Sequence, residues 1–176
     1  NGQLAKDAGL EVAPFGAVVV DEHMRTTDPS IYAGGDCVAI KNIITGKIGY
    51  LPLGSMANRQ GRIIGTNLAG GNARFPGFVG SWAVKLFGLS FCGVGLTVER
   101  ARKEGFDAMS VSVEQLDHAH FYPEKSMMSL ELVVDKATSR VLGIQGACAD
   151  PDSLKARIDA VAAALQYSKP TVEDIS

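Results

Sequence analysis

The sequence predicts an α/β segment followed by an α+β domain, and three observations carry that expectation. Residues 16–68 place β-branched, strand-like runs ahead of one long amphipathic helix. A Gly/Pro cluster, Gly70-Gly71 and Phe75-Pro76-Gly77, then interrupts the pattern. Beyond it, alternating apolar and polar positions recur and lead into a helix with one apolar stripe, the signature of an antiparallel sheet with helices packed on it. The cluster sets the expected boundary, dividing the chain into 1–76 and 77–176.

Each element has a local reason. Residues 3–8 read as a short helix stopped by Gly9, where left-handed geometry favours glycine. Gly16–Asp21 is a β-branched strand, Thr26–Pro29 has turn chemistry, and Ile31–Ala33 reads as a short buried strand ending in Gly34-Gly35-Asp36. From Gly54 to Leu68 the spacing predicts a helix with Met56, Ile63, Ile64 and Leu68 on one side. Trp82–Phe87 reads as a short apolar helix and Leu89–Leu96 as a strand. Thr97 is a natural N-cap for a helix closing at Gly105. Ala108–Leu116 alternates as a strand; in 126–134, Met128, Leu130, Leu132 and Val134 share a face, and Val141–Ala147 returns antiparallel. Asp150-Pro151 opens a helix striped by Leu154, Ile158, Val161, Ala162 and Leu165.

Composition narrows the function classes. The chain has 176 residues, 46% hydrophobic and 20% charged, which excludes disorder and permits a core. Lys+Arg 17 against Asp+Glu 19 gives a net charge of -2 and no basic footprint for nucleic acid. No apolar run is long enough to span a bilayer. Cys37, Cys92 and Cys148 form no CxxC pair and read as reduced thiols of a cytoplasmic protein. Twenty glycines exceed the usual share and suggest tight turns or close backbone approaches. No signal peptide opens the chain, and its start without Met suggests a piece of something longer.

One segment concentrates the information: Thr26-Thr27-Asp28-Pro29-Ser30-Ile31-Tyr32-Ala33-Gly34-Gly35-Asp36. Two glycines let a ligand approach the backbone, and an acid at the end of a strand can accept hydrogen bonds from sugar-like hydroxyls. A plain turn with Asp36 as a helix cap is the structural alternative. The string as a whole resembles the second flavin-binding motif of the FAD-dependent pyridine nucleotide-disulfide oxidoreductases. The resemblance implies that Asp36, beside Gly35, bonds the FAD ribityl chain. It extends to Tyr50-Leu51-Pro52-Leu53-Gly54-Ser55-Met56-Ala57-Asn58-Arg59-Gln60-Gly61-Arg62, which is similar to the helix these enzymes aim at the isoalloxazine. Leu53, Gly54 and Ser55 are the implied contacts there.

Residues 77–176 resemble the dimerisation domain of the same family, so the implied architecture is a partial FAD-binding domain (1–15 joining it from the NAD(P)H domain) followed by that domain. Asn58–Arg62 and Asp117-His118-Ala119-His120-Phe121-Tyr122-Pro123 resemble the branch of coenzyme A-disulfide reductases, NADH oxidases, NADH peroxidases and polysulfide reductases. By that likeness Tyr122 reaches the partner subunit's active site in a homodimer, and Asn58 and Arg62 lie near bound coenzyme A. The spacing of His118 and His120 is poor support for a metal site. No Gly-x-Gly-x-x-Gly is present, and the first FAD phosphate loop, the NAD(P)H domain and the redox-active Cys fall outside the chain. The expected parent passes electrons from NAD(P)H through FAD and a Cys thiolate to a disulfide, polysulfide or peroxide, and the 176-residue piece alone is expected to be inactive. The competing expectation is a non-enzymatic α+β dimerisation module with a vestigial flavin site.

Overall fold

The computed structural model describes residues 2–176 and resolves into two compact units, Asn1–Phe78 and Val79–Ser176. In the first, α1 (Gln3–Asp7) precedes β1 (Val18–Val19), β2 (Val38–Lys41), β3 (Ile48–Gly49) and α2 (Gly54–Leu68). β1 pairs parallel with β2, and β2 pairs antiparallel with β3. Val20, Met24, Val38, Ile40, Phe75 and Phe78 form the core, against which Met56, Ile63 and Ile64 of α2 pack.

Several sequence expectations need correction in this unit. Ile31–Ala33 is not a buried strand: Tyr32 forms only an isolated bridge to Arg25, and Ile31 is exposed. Local bonds win there, because Asp28 accepts from the backbone N–H and hydroxyl of Ser30 and bends the chain. The strand expected over Gly16–Asp21 is reduced to Val18–Val19. Its parallel partner, β2, is too short to show a period in the sequence, yet residues 38–40 are wholly buried. Helix α2 keeps its expected bounds, but Leu68 is 66% exposed, and the buried positions on it are polar, Gln60 and Asn67. Asn67 sits inside because its amide donates to His23 and Ala73 carbonyls and accepts from the Ala73 N–H. Those bonds offset its desolvation, which a pattern of hydrophobicity cannot register.

The second unit is a five-stranded antiparallel sheet in the order β4-β5-β8-β7-β6. Its strands are β4 (Trp82–Leu86), β5 (Leu89–Gly95), β6 (Ala108–Leu116), β7 (Met127–Asp135) and β8 (Val141–Cys148), with α3 (Val98–Lys103) and α4 (Pro151–Tyr167) between and after them. Thr97 caps α3 by accepting from the Arg100 N–H, and Asp150 caps α4 by accepting from the Asp152 N–H. Leu154, Ile158, Val161 and Leu165 are buried, and α4 packs on β5 and β8. Trp82–Phe87 is a strand and a turn rather than a helix. The two-residue link Phe87-Gly88 folds β4 back on β5, placing Trp82 opposite Gly93. A Cβ at Gly93 would lie 2.8 Å from the indole, so the ring occupies the space a side chain would need. Among the described residues no helix is long and apolar enough to cross a membrane.

Candidate functional site

In the first unit, the site begins with a backbone that only glycine takes easily. Gly35 has φ +85, and a Cβ on Gly34 would lie 2.9 Å from Ile64 Cδ1, so the turn rests directly on α2. The Gly35 N–H donates to Gln60 Oε1 at 2.6 Å, and Gln60 is 1% exposed. Asp36 follows with an exposed side chain, while its carbonyl accepts from the Tyr50 hydroxyl at 2.8 Å. The turn therefore presents its carboxylate outward from a backbone held by α2 on one side and Tyr50 on the other.

The start of α2 is chemically open. Leu53 occupies the N-cap in extended geometry and supplies no side-chain acceptor. Gly54 and Ser55 are exposed, and nothing lies within 4 Å of the position a Gly54 Cβ would take. A helix start of this kind leaves N–H groups and the positive end of the dipole available to an electron-rich ligand. An outward carboxylate for hydroxyls and N–H groups for a carbonyl or anion fit one flank of a flavin. Asn58 and Arg62 lie one turn apart on the exposed side of α2. Cys37 is half-buried, its thiol directed at the Gly34 carbonyl at 3.4 Å.

Tyr122 belongs to the second unit, in a groove of about 540 Å³ shared with Asp117, His118, Lys125, Ser126 and Asp150. It is 48% exposed, and its ring lies 5.3 Å from that of His118. Lys125 donates to the His120 and Tyr122 carbonyls, clasping the loop that carries the phenol. The side chain of Asp117 is 1% exposed and sits 3.3 Å from His118 Nδ1. The Ser126 N–H bond holds its carboxyl below the usual range; burial opposes this and His118 assists it. The hydroxyl of Ser153, then the N–H of Asp152, lower Asp150 in the same way.

Asp117 and His118 are neighbours in the sequence, and the fold adds the distant Asp150 to them, each offering a ligand atom within 4.8 Å of the others. Both carboxylates already accept bonds that shape the fold, since Asp117 receives Ser126 N–H and Asp150 receives Asp152 N–H and the Ser153 hydroxyl. The cluster is thus a clasp between the Tyr122 loop and the start of α4. A depressed carboxyl favours the folded state above its unfolded pKa, near 4, and loses that contribution as pH falls through its folded value. Urea melts between pH 7 and 2.5 are therefore expected to show acid destabilisation of the native chain, with a shallower slope in Asp117→Asn; identical slopes would remove Asp117 from the clasp.

Two family descriptions cover most of the chain: "Pyridine nucleotide-disulphide oxidoreductase, dimerisation domain" over residues 82–176, and "Pyridine nucleotide-disulphide oxidoreductase" over residues 1–61. The chain belongs to the pyridine nucleotide-disulphide oxidoreductase family. It is 36% identical over 163 residues to the NAD(P)H sulfur oxidoreductase (CoA-dependent) of Pyrococcus furiosus, covering 93% of this chain and 36% of that protein. Among solved structures, an FAD-dependent pyridine nucleotide-disulphide oxidoreductase from Desulfovibrio vulgaris is 61% identical with a TM-score of 0.87, over 98% of this chain and 40% of that one. An NAD-dependent persulfide reductase from A. fulgidus is 40% identical with a TM-score of 0.93, over 98% and 32%. The chain thus spans well under half the length of the oxidoreductases it matches.

Proposed function

We propose that this chain is the flavin-flanking and dimer-forming portion of an FAD-dependent NAD(P)H oxidoreductase acting on sulfur–sulfur bonds, coenzyme A disulfide or persulfide among them. The observation that carries the reading is the Gly34-Gly35-Asp36 turn seated on α2 through the Gly35–Gln60 bond, beside an uncapped helix start. FAD, when bound, supplies a two-electron relay between the nicotinamide and a cysteine thiolate. Asp36 accepts hydrogen bonds from its ribityl hydroxyls, while the N–H groups of Gly54 and Ser55 favour negative charge on the ring; the Leu53 N–H, expected to share that contact, instead donates to the Leu51 carbonyl at 3.0 Å. The overall balance is NAD(P)H, a proton and a disulfide giving NAD(P)+ and two thiols.

Tyr122 acts across a homodimer, its half-exposed phenol donating to the departing thiolate. Asn58 and Arg62 offer an amide and a cation to a phosphate-bearing thiol such as coenzyme A. The names of the similar proteins support both the nicotinamide and the sulfur substrate. The free cysteines Cys37, Cys92 and Cys148 suit a reducing, cytoplasmic setting. In the enzyme carrying this chain, Tyr122→Phe is expected to lower disulfide turnover about 100-fold, leaving stopped-flow reduction of the flavin by NADH unchanged. Equal turnover by native and variant enzyme would withdraw Tyr122 from the chemistry. A colourless enzyme with no NADH-dependent reduction of coenzyme A disulfide would overturn the function as a whole.

A further inference from the structure

Gln60 is a neutral amide in the interior of α2, on the same stripe as Met56, Ile63 and Ile64. An apolar side chain there would extend the stripe with no polar group to desolvate, so the amide must gain through its bond. That bond runs from the Gly35 N–H, in the residue with φ +85 that immediately precedes Asp36. We propose that Gln60 is a positioning residue that fixes the distance between the Asp36 carboxylate and the amino end of α2, so that ribityl and ring contacts form as one unit. Because α2 is a rigid rod rising about 1.5 Å per residue, position 60 lies roughly 9 Å along its axis from Gly54. Pinning the turn to position 60 therefore sets its offset from the N–H groups at Gly54 and Ser55.

Three features make the pin specific. Gly34 lets Ile64 and the Gln60 stem touch the turn: a Cβ there would fall 2.9 Å from Ile64 Cδ1 and 3.4 Å from Gln60 Cβ. Gly35 takes a backbone conformation strained for any other residue, which a directed bond to its N–H holds in one orientation. Tyr50, bonded to the Asp36 carbonyl, restrains the far side of the turn. Loss of the Gln60 acceptor frees the near side alone, leaving a half-buried N–H without its acceptor and a carboxylate no longer registered to α2.

This inference rests on the flavin reading of the turn, and the test separates the two. In the FAD-loaded enzyme carrying this chain, Gln60→Leu is expected to weaken FAD binding about ten-fold or more and to shift the flavin absorption bands and reduction potential. Gln60→Glu, which keeps an acceptor oxygen at the same reach, is expected to recover most of the native spectrum. Native affinity and bands in Gln60→Leu would overturn the role. So would a loss of FAD that merely follows a lower melting temperature of the apoprotein, with bands unshifted. If Gln60→Leu does not fold, Gln60→Asn, whose amide is one methylene short of Gly35, is read by the same measurements with the same expected and overturning results. Asp36→Ala is run beside them. Weak binding there with a native-like Gln60→Leu removes only the positioning role, whereas native binding in both removes the flavin reading as well.

Discussion

Gly143→Ala is expected to cost the second unit about 3–5 kcal/mol. In the antiparallel register Gly143 on β8 faces Gly95 on β5. A Cβ on Gly143 would lie 2.3 Å from the Leu96 carbonyl oxygen and 2.6 Å from the Leu96 nitrogen. A Cβ on Gly95 would lie 2.3 Å from the Leu142 oxygen, in a residue whose φ is already +79. Both obstacles are backbone, so no rotamer change relieves them, and the central pair of the sheet must separate. Alanine would also restrict the unfolded chain, but that gain is only about 0.4–1 kcal/mol and cannot offset the clash. For a unit of this size the loss corresponds to a melting temperature lower by about 12 °C or more. Gly88→Ala is the control, because nothing lies within 4 Å of its Cβ position. Thermal unfolding followed by circular dichroism checks both; a Gly143→Ala melt indistinguishable from that of Gly88→Ala would refute the close β5–β8 approach.

Asp36→Ala is expected to weaken FAD binding about 10- to 150-fold, the span of losing a charge-assisted hydrogen bond. The side chain is exposed and lies outside both buried cores, so its removal leaves folding nearly untouched. Asp36→Asn should fall between alanine and the native residue, since an amide oxygen still accepts from hydroxyls but carries no charge. Titration of the apoenzyme with FAD, read by quenching of flavin fluorescence, gives the affinities, and unfolding curves of the apoprotein separate binding from stability. A native dissociation constant in Asp36→Ala would place the ribityl contact elsewhere.

What was legible in the chain is what short-range chemistry writes there. Helix α2 could be read to its ends, as could β6, because each is long enough for its pattern to stand out from its neighbours. The caps at Thr97 and Asp150 were legible from residue type alone, since a side-chain oxygen one step before a helix has one obvious use. The Gly34-Gly35-Asp36 string and the segment from Asp117 to Pro123 were also visible, and both lie where the structure has exposed or groove-lining turns.

Apart from Ile31–Ala33, where the local Asp28–Ser30 bonds decide, the errors fell where a distant partner outweighed local preference. Trp82–Leu86 carries no strong helix or strand signal, and the hairpin with β5 decides it. β2 was unrecognised because four residues hold no measurable period until β1 and β3 pair on either side. The inward faces of Gln60 and Asn67 could not be foreseen, since burial of an amide depends on acceptors and donors brought from residues 35, 23 and 73. Asp150 likewise joined Asp117 and His118 only once β8 delivered it to the end of the Tyr122 loop.

By itself, then, the sequence determined the bounds of α2, the caps at Thr97 and Asp150, the glycine-softened turn ending in Asp36 and the family to which they point, because propensity and backbone freedom act over a few neighbouring residues. The tertiary structure alone decided which amides go inside, which short segments become strands, and how the Asp36 turn is held to α2. Those outcomes depend on hydrogen bonds and packing between residues far apart in the chain, whose free energy exists only when the partners have met.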